Sequence, residues 1–151
     1  MAQDALAEDL ADAVVGLQRL LRRRLRAGLT EPRLRGAEVE LLRLVEARPG
    51  VGVSDAAKEL HLAGNSVSTL VNRLAKDGYL VRETDPVDRR AARLLLTGRA
   101  ETRLRAWRER RSALLARQVA RLDDADRRAL HAALPALRAL AVTLREEAGK
   151  P

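Results

Sequence analysis

The chain's 151 residues suit one compact domain with helical extensions. Apolar residues make up 46% of it and are almost all Leu, Ala and Val, with no Phe, one Trp, one Tyr and no Cys; this favours helix and excludes disulfides, thiolate zinc sites and thiol redox sensing. The formal charge of +8 fits an anionic partner, but equally fits a merely arginine-rich composition.

Residues 4–27 are predicted as a first helix, with Leu6, Leu10, Val14, Leu17, Leu21 and Leu25 on one stripe. Asp4, Glu8, Asp9 and Asp12 fall in its first half and five Arg in its second, an order that suits the helix dipole. Its acidic start lacks the basic-then-apolar pattern of a secretory signal, and no apolar run reaches the roughly 18 residues of a spanning helix. A soluble, cytoplasmic protein with no membrane partner is therefore expected.

After Gly28 and a connection containing Pro32, residues 36–47 form a second predicted helix. Ala37, Leu41, Leu44 and Val45 are its buried stripe, with Leu42 at the flank. Arg48-Pro49-Gly50 ends it, and Val51-Gly52-Val53 reads as a short extended segment. Ser54 has the chemistry of an N-cap for a short helix over 55–60. His61 to Gly64 is a turn, residues 65–77 are a fourth helix, and Gly78 is its C-terminal stop.

The period then changes from helical to two. Residues 79–83 and 93–97 read as strands of a hairpin whose tip is Asp85-Pro86-Val87-Asp88-Arg89-Arg90. From Gly98 to Leu122 the chain is helical again, with eight basic and two acidic residues over 99–121, so the net charge sits mainly there. Most of these arginines are expected to be solvated. Asp123 caps the last helix, which carries Leu130, Leu134, Leu137, Leu140 and Leu144 on one stripe and is expected to kink or break at Pro135.

The informative stretch is 53–97: short helix, tight turn, second helix, hairpin. In the second helix Val67, Leu70, Val71 and Leu74 fall at i, i+3, i+4 and i+7 and form the core side. Asn65, Ser66, Ser68, Thr69, Asn72, Arg73 and Lys76 occupy the remainder. Solvent-facing helix normally prefers Glu and Lys, because Ser, Thr and Asn cost helix propensity. A short, polar, mostly uncharged face can instead enter a major groove and bond to base edges. An Arg at the hairpin tip could enter the neighbouring minor groove, with Asp88 steadying it. A plain amphipathic surface helix beside a solvated turn is the bland alternative.

The succession Ser54-Asp55-Ala56-Ala57-Lys58-Glu59-Leu60, Asn65 to Leu74, Asp77-Gly78-Tyr79-Leu80-Val81, Asp85-Pro86-Val87-Asp88-Arg89-Arg90 and Leu94-Leu95-Leu96-Thr97 resembles the MarR family. The Asp-x-x-Asp-Arg-Arg tip after a Gly-aromatic-Leu-Val strand is the most specific part. The resemblance implies a mainly α fold with a small β-hairpin wing, a winged helix-turn-helix core, and N- and C-terminal dimerisation helices. It implies a dimeric repressor or activator of transcription whose affinity for double-stranded DNA responds to a small-molecule effector. By position, Asn65, Ser66, Ser68, Thr69, Asn72 and Arg73 would face the groove, and Asp88, Arg89 and Arg90 would form the wing tip; Ser54 and Lys76 are further candidate DNA contacts. The family's effector cleft lies where dimer helices meet the reader, and Trp107 could line it or simply be core. Adjacent Leu96-Thr97-Gly98 make a shorter join between wing and next helix than the family pattern.

Three regions follow: 1–34, the first dimerisation helix and connection; 35–98, the DNA-binding region; and 99–151, the linking helix and last dimerisation helix. The apolar stripes of the terminal helices need a cover, and a second copy is favoured over intramolecular folding. No phosphate loop, nucleophile elbow, metal spacing or Cys–His arrangement is present, so no enzyme, catalytic residue, metal site or cofactor is expected. The remaining rival is a winged-helix protein–protein adaptor without DNA binding.

Overall fold

The molecule, a computed structural model, is described over residues 2–26, 34–87 and 92–148. Among these the order is α1 (Ala2–Arg26), α2 (Gly36–Ala47), β1 (Val51–Gly52), α3 (Val53–Glu59) and α4 (Gly64–Lys76), then β2 (Leu80–Thr84), β3 (Ala92–Leu96), α5 (Gly98–Val119) and α6 (Asp124–Ala148). This is a mainly helical winged helix-turn-helix fold with a small antiparallel sheet of order β1-β3-β2.

The sheet is larger than the predicted hairpin. Val51 pairs with Leu94, and the Gly50 N–H donates to the Leu94 carbonyl at 2.9 Å, so the short extended segment becomes a third strand. That pairing moves the start of α3. Gly52 is the extended residue before the helix, and Ser54 lies inside the first turn, so the expected Ser54 N-cap is corrected. The β2–β3 register sets Leu80 opposite Leu96 and Arg82 opposite Leu94.

The core is the 34–104 region. Leu41, Leu42 and Val45 of α2 meet Val67, Val71 and Leu74 of α4, and Leu94 closes the layer beneath. Leu42, expected at the flank, is fully buried, whereas Leu44 is only half-buried. Each such Leu or Val stabilises the fold by about 1.5–3 kcal/mol through removal from water.

Helices α3 and α4 end in the same way. At the end of α4 the Tyr79 N–H bonds to the Leu74 carbonyl and the Gly78 N–H to Ala75. At the end of α3 the Leu62 N–H bonds to Ala57 and the His61 N–H to Lys58. Both are Schellman closures, which require a left-handed residue after the cap. Gly78 takes that conformation freely at φ +76°, whereas His61 holds φ +51° with a side chain attached.

Thr97 makes the short join workable. Its N–H donates to the Tyr79 carbonyl, its hydroxyl donates to Gly78 O at 2.7 Å, and the same oxygen caps α5 by accepting from the Ala100 N–H. Helix α5 therefore starts directly on the end of the wing. Helix α6 is capped by Asp123, which accepts from the Asp126 N–H at 2.8 Å, and runs through Pro135 without the expected break.

Candidate nucleic-acid interface

Helix α4 separates its faces by its 3.6-residue period. Val67, Val71 and Leu74 are fully buried, and the stripe directly opposite consists of Asn65, Thr69, Asn72 and Lys76, all exposed. Ser66 and Arg73 lie on the flank toward α2, and Ser68, half-buried, lies on the other flank. The predicted polar face is thus one outward stripe with two edges.

Several of its side chains are already engaged. The Thr69 hydroxyl donates to the Asn65 carbonyl at 2.9 Å, which leaves its oxygen as an acceptor. The Ser66 hydroxyl donates to Asn65 Oδ1 at 3.5 Å. Arg73 is tied inward: its Nε lies 3.1 Å from Oε1 of Glu38, a buried residue of α2. Glu38 Oε2 accepts the Arg35 N–H at 2.6 Å, so one carboxylate both closes the start of α2 and grips the reader helix. Ser54 is exposed in the first turn of α3.

The hairpin adds a residue that sequence reasoning missed. Arg82 Nη2 donates to Asn72 Oδ1 at 2.7 Å, joining β2 to the outward stripe. Arg82 shares a strand face with buried Leu80, two residues before it. A cation on the core-facing register of a strand was the available signal. The Val87 N–H donates to Asp85 Oδ1 at 2.8 Å, an Asx turn that begins the wing tip. Asp88, Arg89 and Arg90 lie outside the described residues.

Helix α5 is held to the reader by its arginines, several of which are not simply solvated as expected. Arg99 donates to the Asp77 carbonyl at 2.8 Å and stacks over the Tyr79 ring, while Arg103 stacks on the same ring and bonds its hydroxyl. Farther along, Arg108 pairs with Glu46 of α2 at 2.6 Å. Trp107, half-buried at the α2–α5 seam, has the Arg43 guanidinium 4.4 Å and the Arg111 guanidinium 4.7 Å from its ring centroid. Partial burial, and then the charge of Arg111, hold Arg43 below the usual arginine range.

Residues 34–91 match the model of the MarR family. Over that stretch the chain is similar to the MarR family. A structure from Pseudomonas aeruginosa, provisionally described as a transcriptional regulator, superposes with a TM-score of 0.80 at 29% identity, covering 93% of this chain and 97% of that one. The Rv1404 protein of Mycobacterium tuberculosis superposes with a TM-score of 0.78 at 21% identity over 100% of this chain and 97% of that one. FabT of Streptococcus pneumoniae, in a complex with DNA, superposes with a TM-score of 0.72 at 21% identity over 94% of this chain and 99% of that one. No curated protein matches the chain. The likeness of fold to these structures extends over the terminal helices as well as α2–β3. None of the described helices is long and apolar enough to cross a membrane.

Proposed function

We propose that this chain is a non-enzymatic transcriptional regulator that binds a palindromic operator as a homodimer and represses until a small ligand relieves it. The observation that carries the reading is the outward stripe Asn65, Thr69, Asn72 and Lys76, set opposite the core of α4 and flanked by Arg82 of the wing. Short polar side chains on a helix that stands clear of its own core suit base edges in a major groove. Ser54, Ser66, Ser68 and Arg73 then lie toward the backbone flanks, and Asp88, Arg89 and Arg90 take the neighbouring minor groove. The complexes of FabT with DNA and of a Staphylococcus aureus MepR variant with an oligodeoxyribonucleotide, proteins of the same fold, support DNA as the partner.

The dimer reading rests on α1 and α6. Leu6 and Leu17 are 66% and 59% exposed, and Leu137 and Leu144 are 40% and 57% exposed, along stripes that a second copy would cover. Two readers would then meet successive major grooves about 34–36 Å apart. Trp107 between Arg43 and Arg111 supplies the ligand side: two cations beside one aromatic ring suit an acidic small molecule.

Selection of bound duplexes from a random pool tests the proposal. A palindrome with half-sites about one helical turn apart is the expected result. Absence of any enriched duplex, together with no affinity that falls as salt rises, would favour the protein–protein adaptor instead.

A further inference from the structure

The outward stripe of α4 ends in a bond that limits what one of its residues can recognise. Asn72 Oδ1 accepts from Arg82 Nη2 at 2.7 Å, and both residues are exposed. The amide orientation is set by charge, since the opposite flip would press two N–H donors against a guanidinium. Asn72 therefore turns its carbonyl toward Arg82 and its NH2 group away from it.

Adenine is read by asparagine through two bonds at once: the carbonyl accepts from N6–H and the amide donates to N7. Arg82 opposes that arrangement twice. It already takes one of the carbonyl's two lone pairs, and its cation beside the amide repels the partly positive amino group of adenine N6 or cytosine N4. What remains is a surface dominated by donors, the Asn72 NH2 with the N–H groups of Arg82 that Asn72 does not use. In the major groove, guanine offers two adjacent acceptors, N7 and O6.

We infer that Arg82 and Asn72 act as one reading unit, in which Arg82 sets the specificity of Asn72 for guanine and against adenine. The inference rests on the DNA-binding reading proposed above and adds to it a base identity and a residue outside the helix-turn-helix. Asn72 is the residue that touches the base; Arg82 determines which base that is.

Duplexes selected from a random pool by the wild-type protein, Arg82→Met and Asn72→Asp decide the matter. The wild type should enrich guanine at one position in each half-site. Arg82→Met frees the carbonyl, so the guanine-to-adenine ratio at that position should fall about tenfold while the rest of the motif is kept. Asn72→Asp keeps an acceptor for Arg82 but removes both N–H donors, and should erase the guanine preference at the same position. A wild-type motif that both variants reproduce at every position overturns the inference alone. A uniform loss of affinity with an unchanged motif likewise overturns it, by assigning the pair to phosphate. No motif from the wild-type protein would overturn the DNA-reading proposal itself.

Discussion

Arg73 Nε lies 3.1 Å from Oε1 of Glu38, and the two residues are 45% and 1% exposed. The pair is lopsided. The carboxylate is inside, between α2 and α4, and the cation covers it from the surface. Oε1 has no hydrogen bond of good geometry, so the Arg73 charge is its compensation. A buried charge that loses its partner costs more than the pair itself contributes.

Arg73→Ala is therefore expected to destabilise the fold by about 1–3 kcal/mol, the lower part of the range applying because Arg73 is half in water. In a Glu38→Gln background the same change should cost clearly less, since no buried charge is then stranded. Urea unfolding of the four proteins measures this. Equal costs in both backgrounds would show that the two residues are not coupled. Any loss of DNA affinity in Arg73→Ala has to be read after this stability term.

The two helix ends with a left-handed residue make an opposed pair of predictions. His61 carries a side chain at φ +51°, and Gly78 carries none at φ +76°. His61→Gly should raise stability by about 0.5–1 kcal/mol, relief of the left-handed strain being offset in part by a freer unfolded chain. Gly78→Ala should lower it by about 1–2 kcal/mol. A Cβ there would meet nothing nearer than Arg99 Nη1 at 3.8 Å, so the cost is in the backbone and not in packing. Thermal melts that moved the same way for both variants would contradict the account.

These residues also show what the sequence could convey. The periodicity of α4 and the Gly78 stop were legible because each is local: apolar residues at i, i+3, i+4 and i+7 and one glycine suffice. Ser54 as a cap was a local inference that failed, because pairing of Val51 with Leu94, some forty residues on in sequence, decides where α3 begins. Glu38 is silent for the same reason, and the strand register of Arg82 marks it as unusual without naming its partner. Each is an ordinary surface-type charge until the fold sets it beside Arg73 or Asn72. Solvation is the local expectation for most arginines of α5 because nothing nearby in sequence places the Tyr79 ring beneath Arg99 and Arg103; only the Trp107–Arg111 pair, one helical turn apart, is local.

The wing proposal is tested by Arg89→Ala. If Arg89 enters a minor groove, its removal should weaken duplex binding about tenfold, and the slope of log affinity against log salt should fall by about one counterion. The melting temperature should stay put, since a tip arginine contributes little to folding. Gel-shift affinity and salt slope equal to the wild type would remove Arg89 from the interface.

The dimer proposal is tested on α6. Leu130, Leu134, Leu137, Leu140 and Leu144 are all exposed along one helix of a single chain, and α1 touches the rest of the protein mainly near its end, where Leu25 is buried and its carbonyl accepts from Arg110. If a second copy covers the α6 stripe, Leu137→Asp places a charge in an apolar interface, which costs several kcal/mol per ion unless it is paired. Sedimentation should then report about half the wild-type mass. The reader should remain folded, because its core of Leu41, Val67, Leu74 and Leu94 does not include α6. The variant's duplex affinity should also drop sharply, since one reader loses the gain from two tethered sites. A wild-type mass for Leu137→Asp would place the contact between copies on another face.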